Sequence, residues 1–396
     1  MSGKRRTAPS PDAVLARFSE PTRAWFTSSF VEPTPAQAGA WEAISSGQNA
    51  LVVAPTGSGK TLSAFLWAID QLVTAPLPEQ PIERCRVLYI SPLKALAVDV
   101  ERNLRSPLAG ITRESIRMGQ AEPQIAVGVR SGDTLAADRR RFNTHPPDIF
   151  ITTPESLFLI LTSAARSALA GVQTVIIDEV HAIAGSKRGA HLALSLERLD
   201  ALLPTPAQRI GLSATVRPID GIAAFLGGSR PVTIVNPPSS KTVEIAVKVP
   251  VDDMAELGQV ESQFEGSAAA DPRRNSIWPH VEEQILDLVE AHSSSIIFAN
   301  SRRLAERLTG RLNELWHDRQ ATQQSQESSQ QNPDGFIARA HHGSVSKEQR
   351  ALIEDDLKSG RLKAVVATSS LELGIDMGAV DLVIQVESPP SVASGM

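Results

Sequence analysis

A short apolar run, a glycine or polar break, and then a helical apolar stripe recur along this chain. No other feature leaves so few folds open, because strands alternating with helices in this way belong to α/β units around a parallel sheet. The first run is Asn49–Ala54 (NALVVA), and the helix after it carries Leu62, Phe65, Leu66, Ile69, Leu72 and Val73 at helical spacing. Further strands are predicted at Arg86–Ile90, Ile125–Val129, Asp148–Thr152, Thr174–Asp178, Arg209–Ser213 and Val232–Val235. A strong amphipathic helix with Leu192, Leu196, Leu199 and Leu203 precedes Arg209–Ser213. These elements close one doubly wound domain over residues 30–236, with residues 1–29 as an N-terminal extension.

Asn236–Lys241 (NPPSSK) reads as a linker, rich in proline and serine and without apolar periodicity. A second α/β series over residues 237–396 starts with a strand at Val243–Val249. After an irregular polar insertion, Asp252–Asn275, it continues with helix Val281–Ala291, strand Ser295–Asn300 and helix Arg302–Trp316. The Gln/Ser-rich stretch from His317 to Gly335 reads as a mobile surface loop. Phe336–Ala340, helix Lys347–Lys358 and strands Ala364–Thr368 and Asp381–Val386 complete the series. With 396 residues, 42% of them hydrophobic, the chain can bury more than one sizeable core. Its single cysteine, Cys85, forms no intrachain disulfide and points to a reducing, cytoplasmic setting. The chain lacks the run of about 18 apolar residues that a membrane helix needs, and the basic start MSGKRRTAPSPD lacks the apolar core of a secretory signal. A net charge of −5 argues against a generic basic surface, so nucleic acid would have to be held by placed contacts.

The sharpest chemical signal is Ala54-Pro55-Thr56-Gly57-Ser58-Gly59-Lys60-Thr61, between the first strand and its helix. Backbone amides at such a helix start cradle phosphates, a lysine reaches the β- and γ-phosphates, and a hydroxyl holds Mg²⁺. The usual first glycine is Ala54 here. The rival reading is a glycine turn in an ordinary α/β loop, weakened by the strand before and the helix after. Asp178-Glu179-Val180-His181 follows the apolar run TVII. Adjacent carboxylates at a strand end point to different sides, one suited to the Mg²⁺ shell and one to orienting water for in-line attack. A plain surface turn is the alternative, but buried carboxylates need a partner. Gln37, in FVEPTPAQ, can read a base edge or be an ordinary surface residue. Ser213-Ala-Thr215, Thr152-Thr153-Pro-Glu-Ser156 and Ser91-Pro-Leu-Lys94 place hydroxyls at strand ends, where they suit sugar–phosphate contact or helix capping equally. Arg139-Arg140-Arg141 reads as a solvated helix face. His341-His342 is not a metal pair, since adjacent strand side chains diverge and no further Cys or His completes the spacing.

Taken in order, PTPAQ, APTGSGKT, SPLKALAVD, ITTPESL, DEVH, SAT, IIFANSRRLAERL, HHGSVSKEQR and VATSSLELGIDMGAVDLVIQVESPP resemble the motifs of a superfamily 2 DEAD/DEAH-type helicase. The segments DEVHAIAGSKRGAHLALSLERL and QVESPPSVASG resemble the large helicase-related (Lhr) family in particular. The resemblance implies two RecA-like doubly wound parallel-sheet domains, the second incomplete, with ATP between them and a nucleic-acid strand across both. It implies that Gln37 reads adenine, that Thr56, Gly57, Ser58, Gly59, Lys60 and Thr61 hold the phosphates and Mg²⁺, and that Gly374 and Asp376 meet the nucleotide from the second domain. Asp178 takes the place of the Mg²⁺ carboxylate and Glu179 that of the catalytic one. His181, Ser213 and Thr215 match residues that couple the nucleotide to strand movement. Thr153, Asn300, Ser301, Arg302 and Thr368 fall near the nucleic-acid backbone. The implied activity is ATP-dependent 3′→5′ translocation and unwinding of DNA duplexes or RNA:DNA hybrids in DNA repair, with single-stranded DNA or RNA as the track.

The family pattern continues beyond VASG into a segment carrying arginine fingers, whereas this sequence reaches Met396 first. The expectation is therefore an N-terminal motor portion. Its rival is a non-catalytic fragment that binds ATP and nucleic acid, and a transporter-type P-loop ATPase is disfavoured for want of an LSGGQ-like signature.

Overall fold

A computed structural model describes residues 10–55, 57–214, 218–238, 244–251, 277–323, 335–368, 371 and 380–388. The chain divides into two compact units, Met1–Ser240 and Lys241–Met396.

The first unit is built on strands β1 (Asn49–Val53), β2 (Val87–Ile90), β3 (Val127–Arg130), β4 (Ile149–Thr152), β5 (Thr174–Ile177), β6 (Gln208–Ser213) and β7 (Val232–Val235). They pair in parallel in the order β3-β4-β2-β5-β6-β1-β7. Helices α1 (Pro11–Leu15), α2 (Glu20–Ser29), α3 (Pro35–Ser45), α4 (Lys60–Thr74) and α5 (Lys94–Arg117) supply one apolar layer. Helices α6 (Ala136–Thr144), α7 (Pro154–Leu161), α8 (Val180–Ala184), α9 (Lys187–Asp200) and α10 (Ile219–Gly227) supply the other. Successive residues of a strand point to opposite faces, so β1 sends Ala50 and Val52 into the first layer and Leu51 and Val53 into the second. Both faces are covered, which is why these strands read as continuous apolar runs rather than alternations.

Residues 10–29 pack against the first unit rather than standing apart from it. Val14, Phe18, Trp25 and Phe26 are buried in the first layer, where Phe18 and Phe26 meet Trp41 edge-on at 5.0 and 5.3 Å. Aromatic side chains at that density carry too much apolar surface to be left in water. Strand β3 begins two residues later than its apolar pattern suggests, because the Ala126 amide donates to the Asp148 carboxylate at 2.7 Å. Asp148 is fully buried and also accepts from Arg84 (2.9 Å) and Arg86 (3.2 Å). A second buried ion cluster joins β6 to α9: Arg209 donates to Glu197 (2.9 Å), Asp200 (2.7 Å) and the Leu226 carbonyl (3.1 Å).

The second unit has β8 (Ser295–Phe298), β9 (Ala338–His341), β10 (Ala364–Ala367) and β11 (Leu382–Gln385), paired in parallel in the order β11-β8-β10-β9. Helices α11 (Trp278–Ala291) and α12 (Arg302–Gln323) pack on one face and α13 (Lys347–Lys358) on the other. Two expectations fail here. Residues 244–249 form no strand, and Ile245, Val247 and Val249 are exposed. Their alternation fits a pleated strand, but a strand also needs a ladder for its amides, and none meets it among the described residues. Helix α12 continues past Trp316 into the supposed loop, since Asp318 to Gln323 includes good helix formers and Arg319 pairs with Asp287 (2.7 Å) and Glu290 (2.8 Å) on α11. No helix among the described residues is long and apolar enough to cross a membrane.

Candidate functional site

In a parallel sheet, the loops that leave the C-terminal ends of the strands face one edge, where ligands of α/β folds gather. In the first unit this edge carries two groups of loops. The loops after β1, β5 and β6 hold APTGSGKT, DEVH and SAT. Those after β2 and β4 hold SPLK and TTPES, beside the end of β3.

The loop after β1 turns through Gly57 (φ 79°) and Gly59 (φ 76°), both left-handed. Only glycine adopts that region freely. A side chain on Gly59 would also strike Gln37, whose Nε2 lies 2.4 Å from where its Cβ would be. The turn leads directly into α4, aiming the helix N-terminus and its partial positive charge at the loop. Lys60, the first residue of α4, is buried, and its Nζ has no hydrogen-bond partner among the described residues. The ammonium lies near enough to Asp178 and Glu179 to act on both, yet none of its N–H donors is bonded among the described residues, and unbonded buried donors are costly. The cost is offset where an anion comes to it, and a glycine cradle at a helix N-terminus fits a phosphate chain. Thr61 follows at half-buried depth.

Gln37 sits on the other side of this loop. Its Oε1 accepts from the Thr34 amide (3.0 Å), its own amide donates to Thr34 Oγ1 (3.2 Å), and its Nε2 donates to the Gly59 carbonyl (3.4 Å). The Thr34 hydroxyl donates to the Ser58 carbonyl (3.0 Å). The pair caps α3 and buttresses the phosphate loop at once. The Thr-x-x-Gln spacing is a capping-box signature that was legible in the sequence.

Asp178 and Glu179 leave β5 buried. The Asp178 Oδ1 accepts from the Glu179 amide at 2.9 Å. Burial, and next the neighbouring Glu179 charge, push the Asp178 carboxyl up to about 6, against a pull from Tyr89, the Glu179 amide and Lys60. Burial also raises Glu179, which takes a left-handed φ of 41°, uncommon for a residue with a side chain. That bend starts α8. His181 on α8 accepts the Ala214 amide at Nδ1 (3.3 Å), with Ser213 Oγ 3.2 Å away. Burial, then Lys60, lower its basicity, against a smaller rise from Asp178, and a ring that accepts the Ala214 amide at Nδ1 carries its proton on Nε2. Glu179 Oε2 lies 3.4 Å from the same Nδ1. The DEVH and SAT loops are thus joined through one imidazole.

At the other loops, the Ser91 amide donates to the Thr152 carbonyl (2.8 Å) and the Thr152 hydroxyl to the Arg130 carbonyl (2.8 Å), tying the ends of β2, β4 and β3 together. Of the two readings open to it, Thr153 shows helix capping in the structure. It is buried, and its Oγ1 accepts the Ser156 amide (3.4 Å) as the cap of α7. In the second unit Asn300, Ser301, Arg302 and Thr368 come together at the ends of β8 and β10. Asn300 donates to Glu387 (3.3 Å) and the Ser388 carbonyl (2.9 Å), Ser301 Oγ accepts from the Leu304 amide (3.1 Å), and Arg302 donates to Ser344 Oγ (2.9 Å). His341 and His342 diverge, to Glu354 (3.0 Å) and Glu306 (2.6 Å). Thr56, Thr215, Gly374 and Asp376 lie outside the described residues.

This arrangement is matched elsewhere. Residues 34–221 fit the DEAD/DEAH box helicase family and residues 280–395 the helicase conserved C-terminal domain. The chain belongs to the DEAD/DEAH box helicases. Over 96% of its length it is 64% identical to the Lhr helicase/probable uracil glycosylase of Mycolicibacterium smegmatis. Over 98% it is 55% identical to the Lhr helicase/uracil glycosylase of Escherichia coli. This helicase chain spans 25% and 26% of those two proteins. Among solved structures, that of Mycobacterium smegmatis helicase Lhr bound to ssDNA and AMP-PNP is 65% identical and superposes with a TM-score of 0.76 over 96% of this chain and 45% of that one. The two parallel-sheet units accordingly have the RecA-like helicase fold, and a relative 37% identical over 98% of this chain and 42% of its own length is the ATP-dependent helicase Lhr-Core of Methanocaldococcus jannaschii.

Proposed function

We propose that the chain is the motor portion of an Lhr-type helicase that binds Mg·ATP in its first unit and tracks 3′→5′ along single-stranded nucleic acid to open duplexes, RNA:DNA hybrids included. The buried Lys60 ammonium, its donors unbonded among the described residues behind two left-handed glycines, carries this reading. Lys60 and the α4 amides bind the phosphates, and the Gln37–Thr34 pair fixes the loop that presents those amides. Thr61 and Asp178 would hold Mg²⁺, which when bound neutralises phosphate charge. Among the described residues no three His, Cys, Asp or Glu side chains gather to hold a metal by themselves, in keeping with an ion that shares its shell with phosphate and water. Glu179 is poised to orient water, its carboxylate raised by burial towards the pH at which it can accept a proton. His181 links that carboxylate's helix to Ser213 and Ala214. Nucleic acid is held by the loops after β2 and β4, and by Asn300, Ser301, Arg302 and Thr368 on the matching edge of the second sheet. The capped Thr153 contributes backbone there rather than its hydroxyl.

Calorimetric titration of Mg·ATP into the wild-type chain and Lys60→Ala tests the assignment. A loss of at least tenfold in affinity, with an unchanged circular dichroism spectrum, is expected. Equal affinities would overturn it.

A further inference from the structure

Arg188, in the first turn of α9, joins three elements that the sequence keeps far apart. Its Nε donates to Glu155 Oε1 on α7 at 2.6 Å, and its Nη2 donates to the Pro92 carbonyl in the loop after β2 at 2.8 Å. One planar guanidinium thus spans the SPLK and TTPES loops, a geometry that a point-charge ammonium does not reproduce. The other end of the connection is equally fixed. Gly189, the next residue, lies so close to α8 that a Cβ would sit 2.3 Å from the Ile183 carbonyl and 2.7 Å from that of Ala184. Ser186 accepts the Gly189 amide (3.2 Å) and donates to the Ile183 carbonyl (2.7 Å). Helix α8 follows its N-cap Glu179 and bears His181. A continuous chain of contacts therefore runs from the carboxylate pair, through α8 and the Gly189 contact, to Arg188 and both loops.

Stability does not account for it. The Arg188 and Glu155 side chains are 45% and 55% exposed, and ion pairs at that exposure add little. We infer that Arg188 is a positioning residue that makes the loops after β2 and β4 one platform and couples nucleic-acid binding there to the nucleotide site through α8. The inference rests on the proposed helicase function and assigns this residue its part in it.

The test is the affinity of a fluorescein-labelled single-stranded DNA oligonucleotide for the whole chain, by anisotropy, with and without Mg·AMP-PNP. Coupling between two ligands of one protein typically falls between roughly 5- and 150-fold. We expect wild type in that range, and Arg188→Ala below about twofold, with its nucleotide-free DNA affinity within threefold of wild type. Arg188→Lys should behave like Arg188→Ala, since it keeps the charge but not the fork. Glu155→Gln, which keeps an acceptor, should retain part of the coupling. A merely structural role would shift the melting temperature and leave the ratio alone. Wild-type coupling in Arg188→Ala overturns the inference, and so does full rescue by lysine or a loss confined to nucleotide-free DNA affinity. Wild-type DNA binding without any coupling overturns the inference and leaves the binding function standing. No DNA binding by wild type overturns both.

Discussion

Asp178→Asn should stabilise the nucleotide-free protein while weakening its hold on Mg·ATP. The Asp178 carboxyl is buried beside Glu179, and its pKa rises from an ordinary 3.8 to about 6. That rise is worth about 3 kcal/mol. The sign follows from the direction. The folded state prefers the neutral carboxyl, so this contribution is fully present below pH 4, is lost as the pH rises through about 6, and is gone at pH 8. Asparagine keeps an oxygen for the Glu179 amide, which Asp178 accepts at 2.9 Å, and never ionises. In EDTA and without nucleotide, Asp178→Asn should exceed wild type by about 3 kcal/mol at pH 8 and by roughly half that at pH 5. For a unit of this size the gain at pH 8 corresponds to a melting temperature higher by on the order of 10 °C. Differential scanning calorimetry at the two pH values measures it, and titration of Mg·ATP at pH 8 measures the loss of binding. Equal melting temperatures at pH 8, or a gain that does not shrink at pH 5, would refute the claim that a buried charge is held at the site in readiness for a cation.

Arg209→Ala should cost about 1.5–3 kcal/mol in urea unfolding, because Asp200 loses its buried partner but keeps Arg230 at 2.9 Å, while Glu197 is 59% exposed; a loss under about 0.5 kcal/mol would contradict that account. Gly57→Ala and Gly59→Ala both strain a left-handed residue, but only the Gly59 Cβ meets Gln37. ATP affinity should therefore fall further for Gly59→Ala, and the reverse order in a titration would remove the Gln37 contact from the argument. Single-stranded DNA affinity should decline with salt on a log–log slope no steeper than about −3.5, that of roughly five neutralised phosphates. A flat plot would rule out backbone contact, and a much steeper one would require a basic surface the net charge of −5 does not suggest.

What the sequence made legible was whatever has a period or a short fixed spacing. The apolar runs at Asn49–Val53, Thr174–Ile177 and Val232–Val235 became strands because two covered faces demand unbroken apolarity. APTGSGKT and DEVH were legible because phosphate cradles and carboxylate pairs need particular residues at particular distances along the chain. Residues 244–249 misled for the complementary reason. Alternation reports what a strand would bury, not whether a neighbouring ladder exists. Helix α12 was cut short because glutamines and charges after Trp316 look like loop composition, while their hold on α11 through Arg319 depends on a partner about 30 residues away. Arg188 left no local signal at all. Its two acceptors lie 33 and 96 residues distant, and only the sheet order brings β2 next to β4 and their loops to one edge.

The sequence leaves Gln37 either to read a base edge or to be an ordinary surface residue; in the structure it is buried and closes a capping box with Thr34. The same two side chains hold the Ser58 and Gly59 carbonyls of the phosphate loop. A carbonyl held from behind fixes the orientation of its peptide, and therefore the direction of the amide that follows. The Ser58 carbonyl belongs to the peptide whose N–H is on Gly59, and the Gly59 carbonyl to the peptide whose N–H is on Lys60, at the start of α4. The cap thus sets the aim of two amides in the cradle. Removing Gln37 would then loosen phosphate binding even for a nucleotide whose base it never touches. Loss of affinity for every nucleoside triphosphate alike would mark this buttress, whereas loss for ATP alone would mark base reading.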